Sequence, residues 1–290
     1  MIWLIGNRGM LGTEVEALLK GKDVPFIATD QEVDIGNPDQ LEKFATDIPL
    51  TWIINCAAYT AVDQAEDEPD LAFRTNALGP MNIARIAKAK QVKLIHLSTD
   101  YVFDGTNEGS YSETDLPNPI GVYGRSKWAG EQHISQTLQQ HIIIRTGWLY
   151  GRHGHNFVLT MLRLMKERHE VRVVQNQYGS PTYAPDLAQF ILGRIRENSQ
   201  HYGLFHFTNE GKTSWYDFAC KIKTLATNMG ILQNNCRLIS ITSDQFPTKA
   251  KRPLNSYLSK EKVKTTFNIT IQPWESALVD FMSELNTRKS

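Results

Sequence analysis

The stretch from residue 2 to residue 19 limits the fold more than any other part of the chain. Ile2-Trp3-Leu4-Ile5 is a short apolar run that reads as a buried strand, and Gly6-Asn7-Arg8-Gly9-Met10-Leu11-Gly12 follows it directly. Val15, Leu18 and Leu19 then recur with helical spacing. In a strand, glycine loop and helix of this kind the backbone can approach a pyrophosphate closely, and the first helical amides face its negative charge. A Gly-x2-Gly-x2-Gly string can also be a plain turn, but its place after an N-terminal strand favours nucleotide binding.

Further strands follow at intervals long enough to hold helices. Residues 25–29 read as the second, with Asp30 at its end, where a carboxylate meets the ribose hydroxyls of NADH. Arg8 stands where a guanidinium could reach the ribose phosphate of NADPH, so both cofactors stay open. Asp34-Ile35 comes next, with a solvated loop acid as the alternative reading of Asp34. Asn37-Pro38-Asp39 then reads as a helix start. Trp52 to Asn55 is the third strand, ending in the small residues Cys56-Ala57-Ala58. Leu71, Ala72, Leu78, Ile83 and Ile86 predict one long helix. Residues 93–97 form the fourth strand, and Ser98-Thr99-Asp100-Tyr101-Val102-Phe103 lies at its carboxyl end, where open parallel sheets place ligand chemistry.

Residues 104–119 are rich in Gly, Pro, Asn and Glu and read as a loop that could close over a site. A helix over 122–140 and a fifth strand at 141–145 complete the alternation, which predicts an α/β fold with a doubly wound parallel sheet over residues 1–150. Beyond residue 150 the elements are shorter. With no repeat and no Gly/Ser linker, residues 151–290 read as a smaller α+β region packed on the first, the boundary being approximate and the segments free to interleave.

On the helix after the loop, Tyr123 and Lys127 lie one turn apart on one face. A phenol titrates near pH ~10 and becomes a useful proton shuttle when a cation stabilises its ionised form. The spacing alone arises by chance about once in a chain of this length. It gains weight from the cofactor loop that precedes it.

Lys+Arg and Asp+Glu are both 31, which leaves no broad basic face for nucleic acid. Cys56, Cys220 and Cys236 are scattered and odd in number, so neither a disulfide framework nor a zinc site is expected, and a reduced cytoplasm fits best. The apolar N-terminal run is too short for a membrane span and lacks the basic leader of a signal peptide. His153-Gly154-His155 has no carboxylate or Cys nearby in sequence and reads as loop, so no metal is expected.

Taken together, the Gly6/Gly9/Gly12 loop, residues 58–63, the Ser98 to Phe103 string, Tyr123 with Lys127, Arg145-Thr146-Gly147-Trp148, Gln177 to Thr182 and Arg252-Pro253 resemble the extended short-chain dehydrogenase/reductase superfamily. More narrowly, they resemble its dTDP-4-dehydrorhamnose reductase family, over nearly the whole chain. The resemblance implies a Rossmann-like fold and the reduction of dTDP-4-dehydro-6-deoxy-L-mannose to dTDP-L-rhamnose by NADH or NADPH. It further implies that Tyr123 donates a proton to the carbonyl oxygen, that Lys127 lowers the pKa of Tyr123 and holds the nicotinamide ribose, and that Thr99 bonds the same oxygen. Gly6, Gly9, Met10, Leu11, Gly12, Asp30, Asp34, Ile35, Ala58, Tyr59 and Thr60, with Tyr123 and Lys127, match cofactor contacts. Val62, Thr99, Asp100, Tyr101 and Trp148 match the sugar pocket, and Arg252 is a candidate for the substrate diphosphate. Arg125 and Gly147 replace the Lys and Ser more usual in the family, and the glycine is expected to leave Trp148 less firmly held. The implied partner is a nucleotide sugar, with a homodimer possible and neither membrane nor nucleic acid involved. A non-catalytic regulatory subunit similar to the β subunit of methionine adenosyltransferase, or a reductase of another deoxysugar nucleotide, are the alternatives.

Overall fold

The computed structural model describes residues 1–233 and 235–287. Strands β1 (Ile2–Ile5), β2 (Phe26–Thr29), β3 (Trp52–Asn55), β4 (Lys93–Thr99) and β5 (His141–Thr146) run parallel in the order β2-β1-β3-β4-β5. The segment Gly203–His206 returns from the second half of the chain to add a sixth parallel strand beside β5. The chain leaves β1 for β2 on one side and comes back to β3 on the other, so a topological switch lies between β1 and β3. Ligand clefts of open α/β sheets form at the carboxyl ends of such strands.

Both faces of the sheet are covered, which is why β1, β3 and β5 are buried along their whole length. Alternate residues serve opposite faces. Ile2, Leu4, Ile95 and Ile144 pack on α1 (Met10–Gly21) and the helix Ala184–Arg196 through Val15, Leu19, Leu187 and Ile191. Trp3, Ile5, Ile53 and Ile143 face Leu41 of α2 (Pro38–Ala45) and a helical layer that includes Ile83 and Ile134. A separate core joins helices Phe157–Glu167, Trp215–Asn228 and Trp274–Thr287 to the parallel pair Glu170–Val174 and Arg237–Ile241.

One expectation from the sequence is refined and another corrected. The long helix runs from Pro69 to Ala89 as α3 (Pro69–Phe73), an internal π-helical turn over Arg74–Leu78, and α4 (Gly79–Ala89). Pro80 has no N–H to return to the Asn76 carbonyl, so regular α-helical bonding is interrupted there. The loop at 104–119 is tied down rather than free to close. Tyr111 bonds Tyr257 and Ser259 through its backbone at 2.8 and 2.7 Å, its ring stacks on Phe103, and Glu113 accepts the His206 amide at 2.9 Å. The chain then enters α5 (Val122–Thr137), shorter than the span expected, with Glu66 accepting the amide of Val122 at 2.8 Å.

Candidate active site

The glycine loop is shaped by contacts that a side chain would break. Gly6 has φ +80°, and a Cβ there would lie 2.6 Å from the Ala57 nitrogen, while one on Gly12 would lie 2.0 Å from the Gly6 carbonyl oxygen. Gly9 differs, since a Cβ there would meet nothing closer than 3.4 Å. Helix α1 starts at Met10 with no side-chain cap and no acid in its first turn. The leading amides of Met10, Leu11 and Gly12 therefore remain available to an anion, and the loop fits a dinucleotide pyrophosphate.

One side of the loop opens on a cleft of about 890 Å³ lined by Asp30, Asp34, Ile35, Ala58 and Tyr59 together with Gly6, Arg8 and Gly9. The Asp30 carboxylate accepts the Arg8 amide at 3.0 Å, which fixes the loop against the end of β2. The Arg8 guanidinium lies 3.4 Å from Glu32, so a ribose phosphate would have to share it with that carboxylate. Asp34 is paired with Arg74 and accepts the Gly36 amide at 2.8 Å, so it is a bonded residue rather than a free loop acid. The buried Asn76 of the π-helical turn bonds the Tyr59 amide at 2.8 Å, the Tyr59 carbonyl at 3.0 Å and the Ser126 hydroxyl at 3.0 Å, joining the end of β3 to α5.

The other side opens on a cleft of about 470 Å³ that brings together Gly9, Met10, Leu11, Gly12, Ala58, Thr60, Val62, Thr99, Asp100, Tyr101, Tyr123, Lys127 and Trp148. Ala58 and Gly9 line both clefts, so they form one passage over the ends of β1 and β3. Burial pushes the Tyr123 phenol up to about 12; a hydrogen bond with Thr99 acts against that rise and the Asp100 charge adds to it. Lys127 is almost wholly buried and donates to the Leu97 carbonyl at 2.5 Å. Burial lowers its ammonium to about 8, against the opposing pull of Glu131 and Cys56. Lys127 lines the same cleft as Tyr123, one helical turn further along α5.

Behind Lys127, Glu131 holds Arg145 through two bonds of 2.9 and 2.6 Å and accepts the Ser98 hydroxyl, so β4, β5 and α5 meet in a buried ionic knot. Asp100, also buried, accepts the Thr99 hydroxyl at 3.1 Å, and burial raises its carboxyl to about 6. Gly147 lies directly against Asp100, where a Cβ would stand 2.6 Å from the carboxyl carbon. Trp148, the residue after this glycine, is packed on one face. Its ring stacks on Trp215 with centroids 3.5 Å apart and planes within 8°.

Arg252 stands apart from both clefts. It holds Asp63 through contacts of 2.7 and 3.2 Å and hydrogen-bonds Tyr101, in a neighbouring cavity that Tyr101 and Trp215 share with the site. Asn76 and Trp215 escaped sequence reasoning. The π-helical turn that aims Asn76 is masked by apolar spacing that matches an ordinary helix, and Trp215 opens the helix Trp215–Asn228, one of the shorter elements beyond residue 150. The Gly79-Pro80 pair inside the expected helix was the signal for the first.

The family model described as RmlD substrate binding domain matches residues 1–287. A dTDP-4-dehydrorhamnose reductase of Aggregatibacter actinomycetemcomitans is 40% identical, over 95% of this chain and 96% of its own. A dTDP-4-keto-6-deoxy-D-glucose reductase of Streptomyces niveus is 37% identical over 99% of each chain. The crystal structure of dTDP-4-dehydrorhamnose reductase from Bacillus anthracis strain Ames, in complex with NADP, superposes with a TM-score of 0.92 at 38% identity and covers 98% of both chains.

Proposed function

The chain belongs to the RmlD substrate binding domain family, and from that premise we propose that it reduces dTDP-4-dehydro-6-deoxy-L-mannose to dTDP-L-rhamnose with NADH or NADPH. The observation that carries this reading is the meeting of Thr99, at the end of β4, with Tyr123, at the start of α5, in the cleft lined by the first turn of α1. A reduced nicotinamide supplies hydride when bound. The Met10, Leu11 and Gly12 amides receive the pyrophosphate, and the Asp30 to Ile35 side receives the adenosine half. Tyr123 keeps its proton through the neutral range and gives it to the sugar's C4 oxygen, while Thr99 bonds the same oxygen as charge develops. Lys127, set on the Leu97 carbonyl, offers its remaining protons to the nicotinamide ribose.

Residues 151–290 contribute Arg252 to the sugar-nucleotide side, and their segment Gly203–His206 returns to the main sheet. Val62, Asp100, Tyr101 and Trp148 line the hexose pocket. Arg252, already paired with Asp63, serves the diphosphate only if it gives up part of that pairing. The Streptomyces relative favours a second reading, reduction of the same carbonyl on dTDP-4-keto-6-deoxy-D-glucose. Both sugars supplied to the purified protein with NADH or NADPH decide the matter. Oxidation of the nicotinamide with the first is expected, and none with either would remove the reductase reading.

A cytoplasmic setting fits the three free cysteines, and no helix among the described residues is long and apolar enough to cross a membrane. A homodimer is part of the same proposal, and sedimentation as a monomer at assay concentration would remove it.

A further inference from the structure

Trp148 is the aromatic wall of the hexose pocket, yet one face of its indole is covered by Trp215. Trp148 has little freedom to escape. Its backbone has φ +50°, a conformation seldom adopted by a bulky residue, and a Cβ on Gly179 would lie 2.8 Å from its Cε2 and Nε1 atoms. Trp215 is held differently. Its backbone is fixed at the first turn of its helix, where the Ser214 hydroxyl accepts the Asp217 amide at 3.0 Å, but its ring is only half-buried and lies between two cavities. It lines the cleft with Thr99 and Tyr123, and it also lines an adjoining cavity of about 750 Å³ walled by Phe157, Met161 and Leu164. Tyr101 is the other aromatic residue shared by the two.

A nucleotide sugar is long, and only its hexose can occupy the cleft that holds the hydride chemistry. The remainder must leave that cleft, and Tyr101 and Trp215 stand where it meets the next cavity. We propose that Trp215 is a specificity-determining contact for the hexose of the nucleotide sugar, and that its indole leaves the face of Trp148 when the hexose enters. The exchange is chemically matched, because an indole face accepts the apolar side of a deoxysugar as it accepts another ring. A sugar carrying a hydroxyl at C6 would set a polar group against that surface, which makes the Trp148–Trp215 pair a filter for 6-deoxyhexoses.

The inference rests on the proposed nucleotide-sugar activity, and the test separates the two. Stacked indoles couple their electronic transitions, so the pair should give a circular-dichroism couplet that Trp215→Leu lacks. Saturation with dTDP-rhamnose is expected to abolish the couplet in the wild-type protein, and saturation with dTDP, which lacks the hexose, to preserve it. For turnover, Trp215→Leu is expected to raise KM for the nucleotide sugar roughly three- to tenfold, the size of a lost aromatic pairing, with kcat and the affinity for NADPH little changed. Trp215→Phe should recover most of the loss, which a fold defect would not allow. Calorimetric binding of dTDP-rhamnose with an unchanged couplet would overturn the role of Trp215 and leave the function standing. Absence of both binding and turnover would overturn the functional reading, and the role of Trp215 with it.

Discussion

Lys127 ends on the carbonyl oxygen of Leu97, 2.5 Å from its ammonium, rather than on the phenol one turn before it. A buried cation anchored on β4 is therefore poised beside the carboxyl end of the sheet, and burial has brought its pKa down to about 8. Tyr123, pushed up to about 12, remains an acid well beyond that pH. The two groups are separated in the pH range where each changes charge.

That separation has a kinetic signature. If the ammonium form of Lys127 binds the nicotinamide ribose, kcat/KM for the reduced cofactor should fall with a midpoint near about 8 as pH rises. Lys127→Arg keeps its charge throughout this range and should lose that alkaline limb, whatever its absolute rate. A wild-type profile flat to pH 10 would show that the charge of Lys127 is not used.

The same residue should cost the fold stability at neutral pH. Below about 8 its ammonium is charged in the folded and unfolded chain, and the folded chain bears the desolvation; above the ordinary value of 10.5 it is neutral in both. The folded pKa is lowered, so wild-type stability relative to Lys127→Met should rise between these pH values, by about 3 kcal/mol at ~1.4 kcal/mol per unit. Denaturant titrations of the two proteins across that window measure the change, and parallel curves would contradict it.

The glycine loop offers a contrast between two similar substitutions. Gly12→Ala drives a methyl into the Gly6 carbonyl oxygen and should cost about 1–3 kcal/mol while weakening NADPH binding. Gly9→Ala makes only an ordinary contact, 3.4 Å from the Gly6 carbonyl oxygen, so its fold should stay within about 1 kcal/mol of wild type, with the loss confined to cofactor affinity. Thermal unfolding with and without NADPH distinguishes the cases, and equal destabilisation by both would show that the loop is packed differently.

How much of this was legible in the sequence depended on the range of the contacts. Strands β1 to β5 and the helix carrying Tyr123 announce themselves through apolar runs and periodicity, which are local properties. The π-helical turn is also local, but its apolar positions suit an ordinary helix, and only Pro80 betrays it. Asn76 with Tyr59 and Ser126, Trp215 with Trp148, and Gly203–His206 with β5 are partners far apart in the chain, set by tertiary packing. The loop at 104–119 carries the composition of a mobile lid, yet Tyr111 and Glu113 pin it to distant backbone.

Replacing the Tyr123 phenol tests the central claim most directly. Tyr123→Phe keeps the ring, its edge contact with Tyr101 and the packing of α5, and removes only the hydroxyl. With dTDP-4-dehydro-6-deoxy-L-mannose and saturating NADPH, single-turnover reduction should slow about 10²-fold or more, while the dissociation constant for NADPH stays within about threefold of wild type. Unchanged reduction by the variant would mean that another group delivers the proton, and Tyr123 would then be part of the wall rather than the acid.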